Sequence, residues 1–343
     1  ITPWNSPIAS DAQKLAPALA GGNAVLLKPA DLTPLVALEL GRICLDAGLP
    51  KGLVSVLPGQ GSVVGAAIVS HPDVKKVSFT GGTDTGRRLA GEAAKKLMPV
   101  SLELGGKSPT MVFADADLDH AVNGVLFGIF SSQGQSCIAG SRLFVERSIY
   151  DTFMARLVAK ARTLRVGSPT DPATQLGPLI SEAHRDSVER YVALGLEEGC
   201  SLLCGGARPT GPLHDQGNYY LPTILAAPSN ALRICQEEIF GPVLVAMPFD
   251  DEEALVRDAN DSVFGLACGI WTRDYKKAWR LARRIQAGNV WINTYKQLSI
   301  ATPFGGFKDS GVSREKARAG LLAYMQQKSV YWGLNDAPLP WAD

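Results

Sequence analysis

The chain has 343 residues, 46% of them hydrophobic and 20% charged, which is enough apolar material for a large core and predicts two domains rather than one. A formal net charge of +1 with interspersed signs leaves no electrostatic footprint for nucleic acid, and no apolar run is long enough to span a bilayer. The six cysteines (Cys44, Cys137, Cys200, Cys204, Cys235, Cys268) form no CxxC pair and the four histidines are scattered, so no disulfide framework or metal site is expected; small-molecule partners and a reducing, cytoplasmic compartment are.

The opening "ITPWNSP" lacks the charged and apolar regions of a signal peptide. It reads as the end of a strand running into a loop, so the chain is expected to be cut from something longer. From Asn23 to about Leu104, short apolar runs alternate with helix-length amphipathic segments: "AVLLK", a helix opened by Thr33-Pro34, "LVSVL", "VVGAAIV", "VKKVSF", "GRRLAGEAAKKL" and "VSLEL". This βαβαβαβ pattern predicts a parallel sheet covered by helices. Beyond Gly105 the alternation continues through "TMVFAD", a helix over Leu118 to Phe130, "RLFVE" and a long helix through "YDTFMARLVAKARTL", with connections richer in Gly and Pro. The change of character near Gly105-Gly106 marks a domain boundary. The tail "NDAPLPWAD" reads as a surface extension.

Two glycine-rich turns follow strands. "LPGQGSVVG" carries one residue too many for a dinucleotide fingerprint and reads first as a tight strand-to-helix turn. "SFTGGTDTG" runs through Gly81, Gly82 and Gly86 into a helix, aiming backbone N–H groups where a pyrophosphate could sit. Lys28 and Asp31 in "LLKPAD" follow a strand; the carboxylate suits ribose hydroxyls and repels a 2′-phosphate, and a solvated loop pair is the other reading. Glu103 in "SLELGGK" ends a strand that should be largely buried, where desolvation would raise its pKa into the range of a general base; a solvent-facing Glu beside a glycine turn is the alternative. Cys137 stands in "SSQGQSCIAG". A free cysteine is ordinarily a small buried hydrophobe, but small neighbours would give a nucleophile its approach path and leave N–H groups free for an oxyanion.

Taken in order, "PWNSP", "KPAD", "FTGGTDTG", "LELGGKSP", "GQSCIAGSR", "EEIFGPVL" and "PFGGFKDSG" resemble the aldehyde dehydrogenase superfamily, from Pro3 to about Trp332. The resemblance implies an α/β fold with a Rossmann-like parallel-sheet cofactor domain (1–105, lacking its N-terminal part), an α/β catalytic domain (106–305), and a C-terminal return segment with an oligomerisation arm (306–343). It implies NAD-dependent oxidation of an aldehyde to the acid, with Cys137 as nucleophile, Asn5 as oxyanion donor and Glu103 as the base that activates water. Lys28 and Asp31 match adenosine-ribose contacts, Glu238 and Phe240 the residues that hold the nicotinamide side, and Trp4 the cleft wall. Asp31 stands where Glu is common, so NAD is expected with NADP possible, and Gly82 stands where Ser is common. Ser6, Ser10, Ile138 and Tyr295 are expected to line the aldehyde channel. The substrate expected is an aliphatic or polar semialdehyde, ahead of an aromatic aldehyde, with no evident aromatic cage for a quaternary ammonium group. The resemblance also implies a homodimer or homotetramer. The alternatives are a CoA-acylating enzyme, which characteristically lacks the base at Glu103, and a catalytically silent fragment.

Overall fold

The computed structural model describes residues 1–334, 336, 339 and 341, so most of the tail expected to be a surface extension lies outside the described residues. The first half of the chain runs α1 (Pro7–Ala20), β1 (Val25–Leu27), α2 (Leu35–Asp46), β2 (Val54–Val56), a π-helical turn over Gly61–Gly65 that leads into α3 (Ala66–Ser70), β3 (Val77–Thr80), α4 (Thr83–Ala94) and β4 (Val100–Glu103). β1 pairs parallel with β2, and β3 parallel with β4. The expected single sheet is split between these pairs, and the extended residues at the start of the chain lie in the gap. Thr2 N donates to the Lys28 carbonyl at 3.0 Å and Thr80 N to the Ile1 carbonyl at 3.2 Å. The run "VVGAAIV" falls in the π-turn and α3. Pro34, not Thr33, caps α2, and the Thr33 hydroxyl is buried without a partner.

The second half runs β5 (Pro109–Val112), α5 (Leu118–Phe130), β6 (Arg142–Glu146), α6 (Tyr150–Ala161), α7 (Glu182–Glu197), β7 (Ser201–Cys204), β8 (Thr223–Ala226), α8 (Arg233–Gln236), β9 (Val243–Phe249), α9 (Glu252–Asn260), β10 (Phe264–Gly265), β11 (Ala267–Trp271), α10 (Tyr275–Arg284) and β12 (Asn289–Ile292). Here α5 and β6 coincide with their predicted stretches. Seven strands form one sheet in the order β12-β11-β5-β6-β9-β8-β7, parallel except for the edge pair β7/β8. Its central strands are buried on both faces, which is why they read as unbroken apolar runs such as "VLVAMPF" and not as alternating patterns. The chain then returns through β13 (Phe307–Lys308), β14 (Gly311–Val312) and α11 (Ala317–Leu322), and β14 adds antiparallel to β4. This return carries the 304–316 segment across the carboxyl end of β4, where Glu103 sits.

Candidate active site

Cys137 is positioned by an unusual turn. After α5, Ser132, Gln133 and Gly134 take φ values of +57°, +57° and +70°, which costs on the order of 1 kcal/mol at each of the two non-glycine residues. Gly134 permits the turn because a Cβ there would lie 2.0 Å from the Gly241 carbonyl oxygen. Gly106 does the same on the other side, where a Cβ would lie 2.3 Å from the carbonyl oxygen of Cys137. Gly134 and Gly106 are therefore dictated by backbone passing close to backbone. Cys137 itself is half-buried and packs against a cluster that includes Ile138, Leu266, Trp291, Tyr295 and Phe304. Burial, followed by the Glu238 and Glu103 carboxylates, pushes its thiol up to about 12, with the Ile138 N–H and Lys296 acting in the opposite direction.

The thiol opens onto a cleft of about 200 Å³ shared with Trp4, Asn5, Gly81, Gly82, Glu103, Gly105, Glu238 and Phe240. Asn5 lies at the start of the chain, yet its Nδ2 donates to the Gln135 carbonyl at 2.9 Å. That bond fixes the amide beside Cys137 and leaves its second N–H uncommitted by this contact. Glu103 is 3% exposed and its Oε2 has no hydrogen-bond partner. Burial, then the Glu315 carboxylate, hold its pKa well above the usual carboxylate range, against Lys14, Arg314 and Lys316. Glu238 is held differently: its Oε1 accepts from Gly106 N at 2.9 Å, and burial pushes it up to about 7. Trp4 stands edge-on to Phe240, with ring centroids 5.3 Å apart, and Phe240 has a φ of +58°. His184 supports both rings, its Nε2 lying 2.8 Å from the Phe240 carbonyl.

The residues expected to hold a dinucleotide divide into those at the cleft and those behind it. Gly81 and Gly82 line it, and Gly82 caps the twelve-residue α4 with open space where its Cβ would be. A helix N-terminus bordering the cleft suits a phosphate. Gly105 is also constrained, since a Cβ there would meet Glu238 Oε2 at 2.4 Å. These features fit a nicotinamide dinucleotide. At Gly86 a Cβ would lie 2.4 Å from Leu104 Cδ2, so this glycine lets α4 pack closely on the sheet. Lys28 is buried and ion-paired to the half-exposed Asp31 at 2.5 Å, so the two are no solvated loop pair. Of the channel candidates, Ser6 is exposed and Ser10 half-exposed on α1, whereas Ile138 and Tyr295 are buried beside Cys137. The Tyr295 ring fills the space left by Gly128, Gly140 and Gly269.

Sequence reasoning missed several residues that only folding brings here. Lys14 of α1 and Glu315 of the return segment form a buried ion pair, joined by Gln13 and Ser78. Arg142 is buried and directs its guanidinium to the Lys107, Asp258 and Ala259 carbonyls and to Asn230, locking the strand that follows Gly140. The "AGSR" motif was a signal for it; nothing local announces Lys14 or Glu315.

The family described as "Aldehyde dehydrogenase family" matches residues 1–330. Betaine aldehyde dehydrogenase of Mesorhizobium japonicum is 45% identical over 338 residues, which are 98% of this chain and 69% of that protein. Among solved structures, HpcC from Thermus thermophilus superposes with a TM-score of 0.96 at 46% identity, covering 99% of this chain and 66% of that one. An aldehyde dehydrogenase from Bacillus cereus, solved as its NAD+ complex, superposes with a TM-score of 0.94 at 41% identity, covering 97% and 67%. A family matched over nearly the whole chain, with relatives of this identity and coverage, leads to one conclusion: the chain belongs to the aldehyde dehydrogenase family and is an oxidoreductase that uses NAD to oxidise an aldehyde.

Proposed function

We propose that Cys137, Asn5 and Glu103 carry this oxidation to the free acid. The carrying observation is that three residues from separate parts of the chain border one cleft with the Gly81-Gly82 turn, Glu238 and Phe240. The Cys137 thiol passes its proton to solvent, its sulfur adds to the aldehyde carbon, and the carbonyl oxygen becomes an alkoxide. The free N–H of Asn5 and the Cys137 backbone N–H hold that negative oxygen. Gly81, Gly82, Glu238, Phe240 and Trp4 would hold the nicotinamide dinucleotide, with Lys28 and Asp31 as candidates for its adenosine ribose, and the cofactor would supply the hydride acceptor. The carbon, having lost hydride, remains as a thioester on Cys137. Glu103, its Oε2 free and its pKa raised, takes a proton from water, which attacks the thioester and releases the carboxylic acid and the thiol.

A buried Glu103 with an unpartnered oxygen favours water over coenzyme A as the acceptor of the acyl group. The same reading divides the chain into a cofactor unit to about 105, a catalytic unit to about 305 and a return segment. Relatives carrying the name betaine aldehyde dehydrogenase make that aldehyde one substrate to assay. The deciding experiment is rapid-mixing absorbance of NADH formation with NAD and an aldehyde panel, with and without coenzyme A. NADH produced without coenzyme A and lost in Cys137→Ala is the expected outcome; an absolute requirement for coenzyme A would reverse the choice of acceptor.

A further inference from the structure

The segment between α8 and β9 carries two residues of the cleft wall, Glu238 and Phe240, and is itself neither helix nor strand. One face of α7 holds it at three levels. Tyr191 donates its hydroxyl to Glu237 Oε2 at 2.9 Å, and Val188 fills the space beside Gly241, where a Cβ would meet Val188 Cγ2 at 2.5 Å. His184 Nε2 lies 2.8 Å from the Phe240 carbonyl oxygen. Positions 184, 188 and 191 form one stripe of an α-helix. The start of α7 is tied down in turn. Ser181 Oγ accepts from His184 N at 3.2 Å, and Ile180 N donates at 2.9 Å to Oε1 of Gln135, the residue whose carbonyl accepts the Asn5 amide.

Phe240 needs such a hold, because its φ of +58° is a left-handed conformation that a non-glycine residue keeps only where its surroundings impose it. Its carbonyl can only accept, so the His184 ring carries its hydrogen on Nε2. Burial lowers the pKa of this imidazole, so the neutral ring is the form present near neutral pH. The same ring packs edge-on against Trp4, with centroids 5.6 Å apart, and against Phe240 at 6.2 Å. Trp4 and Phe240 both border the cleft that Cys137 opens onto. One imidazole thus fixes the backbone of one wall residue and the ring plane of another.

We propose that His184 is a positioning residue for hydride transfer: its Nε2–H holds the Phe240 backbone and its ring braces the Trp4 indole, so that the wall facing the nicotinamide keeps its place relative to Cys137. The inference rests on the reading of Trp4, Glu238 and Phe240 as the nicotinamide side of the cleft. A small displacement matters because transfer requires the reacting atoms close to contact and aligned.

The test compares His184→Gln with His184→Asn. The amide nitrogen of Gln reaches about where Nε2 stands, whereas that of Asn stops at the place of Nδ1, and both side chains are polar. Hydride transfer is read as the first-turnover rate of NADH formation with propanal and with propanal deuterated at the aldehyde carbon, and NAD affinity as quenching of tryptophan fluorescence. A carbonyl left without its donor corresponds to about tenfold to a hundredfold. His184→Asn should slow the first turnover by that amount with a larger deuterium effect and should weaken NAD binding, while His184→Gln stays within a few fold of wild type in both. Alkylation of Cys137 by iodoacetamide without NAD, followed by mass of its peptide, should run at one rate in all three proteins, which a general loosening of the site would not allow. If neither the first turnover nor NAD affinity separates His184→Asn from His184→Gln, or if the alkylation rate changes in step with the loss of NADH, the proposal is overturned and the cofactor cleft stands. Wild-type protein that binds no NAD would overturn the reading of the cleft and the proposal with it.

Discussion

Glu103 and Glu238 border the same thiol from opposite halves of the chain, both with raised pKa, yet they are held in different ways. Glu238 has a backbone donor: Gly106 N–H fixes one of its oxygens. Glu103 has an oxygen with no partner at all, and the charges around it come from the return segment and α1. A carboxylate tied to a backbone N–H is a positioning device, whereas one with a bare oxygen in a dry site is prepared to take a proton. Burial alone would have given both the same role; the hydrogen bonds separate them.

The largest expected effect is therefore at Glu103. Glu103→Gln should slow release of the acyl group by about 10²–10⁴-fold, the usual contribution of general base catalysis, while a first burst of NADH survives and the acyl adduct on Cys137 is seen by intact mass. Wild-type acyl release should rise with pH, because the base works deprotonated and is lost as pH falls through its raised pKa. The inflection should lie above the ordinary carboxylate range and disappear in Glu103→Gln; an inflection at an ordinary carboxylate pKa would place the base elsewhere. Glu238 should show the reverse pattern. Glu238→Gln should weaken NAD binding by about tenfold, the worth of one charge-assisted hydrogen bond, with acyl release spared, as measured by fluorescence titration and single-turnover kinetics. Equal effects of the two substitutions on acyl release would end the distinction.

Gly105→Ala tests the same point through the backbone. Its Cβ would meet Glu238 Oε2 at 2.4 Å and Thr83 Oγ1 at 3.1 Å, so it should displace Glu238 and imitate Glu238→Gln, with a loss of about 1–3 kcal/mol in stability from overpacking. Thermal melts and NAD titration read both. The smallest effect belongs to Gly82→Ser. Nothing lies within 4 Å of the added Cβ, so stability should hardly move, and a hydroxyl at the cap of α4 should tighten NAD by a few fold. No change in affinity would remove this turn from the cofactor site.

Much of the machinery was legible because it is carried by short stretches whose local chemistry is distinctive. "LELGGK" announced a buried acid and "GQSCIAG" a thiol among small residues, whereas the close approach of Glu238 to Gly105 and of the Cys137 carbonyl to Gly106 became visible only in the fold. The parallel core strands were legible as apolar runs, since burial on both faces removes the alternation. The packing role of Gly86 was not legible, because a glycine needed for helix packing looks, in sequence, like one needed for a phosphate; only the fold shows its missing Cβ directed at Leu104.

The sequence by itself determined the family and the α/β character, because motif residues and apolar runs answer to local chemistry and local backbone geometry. Tertiary structure alone decided what surrounds them. Lys14 meets Glu315, Asn5 meets Gln135, and Lys296 meets Ser131 across 301, 130 and 165 positions of chain. Such pairings leave no local periodicity to read. Charge and desolvation act through space, so which carboxylate is left with a bare oxygen emerges only when distant segments close on the same thiol.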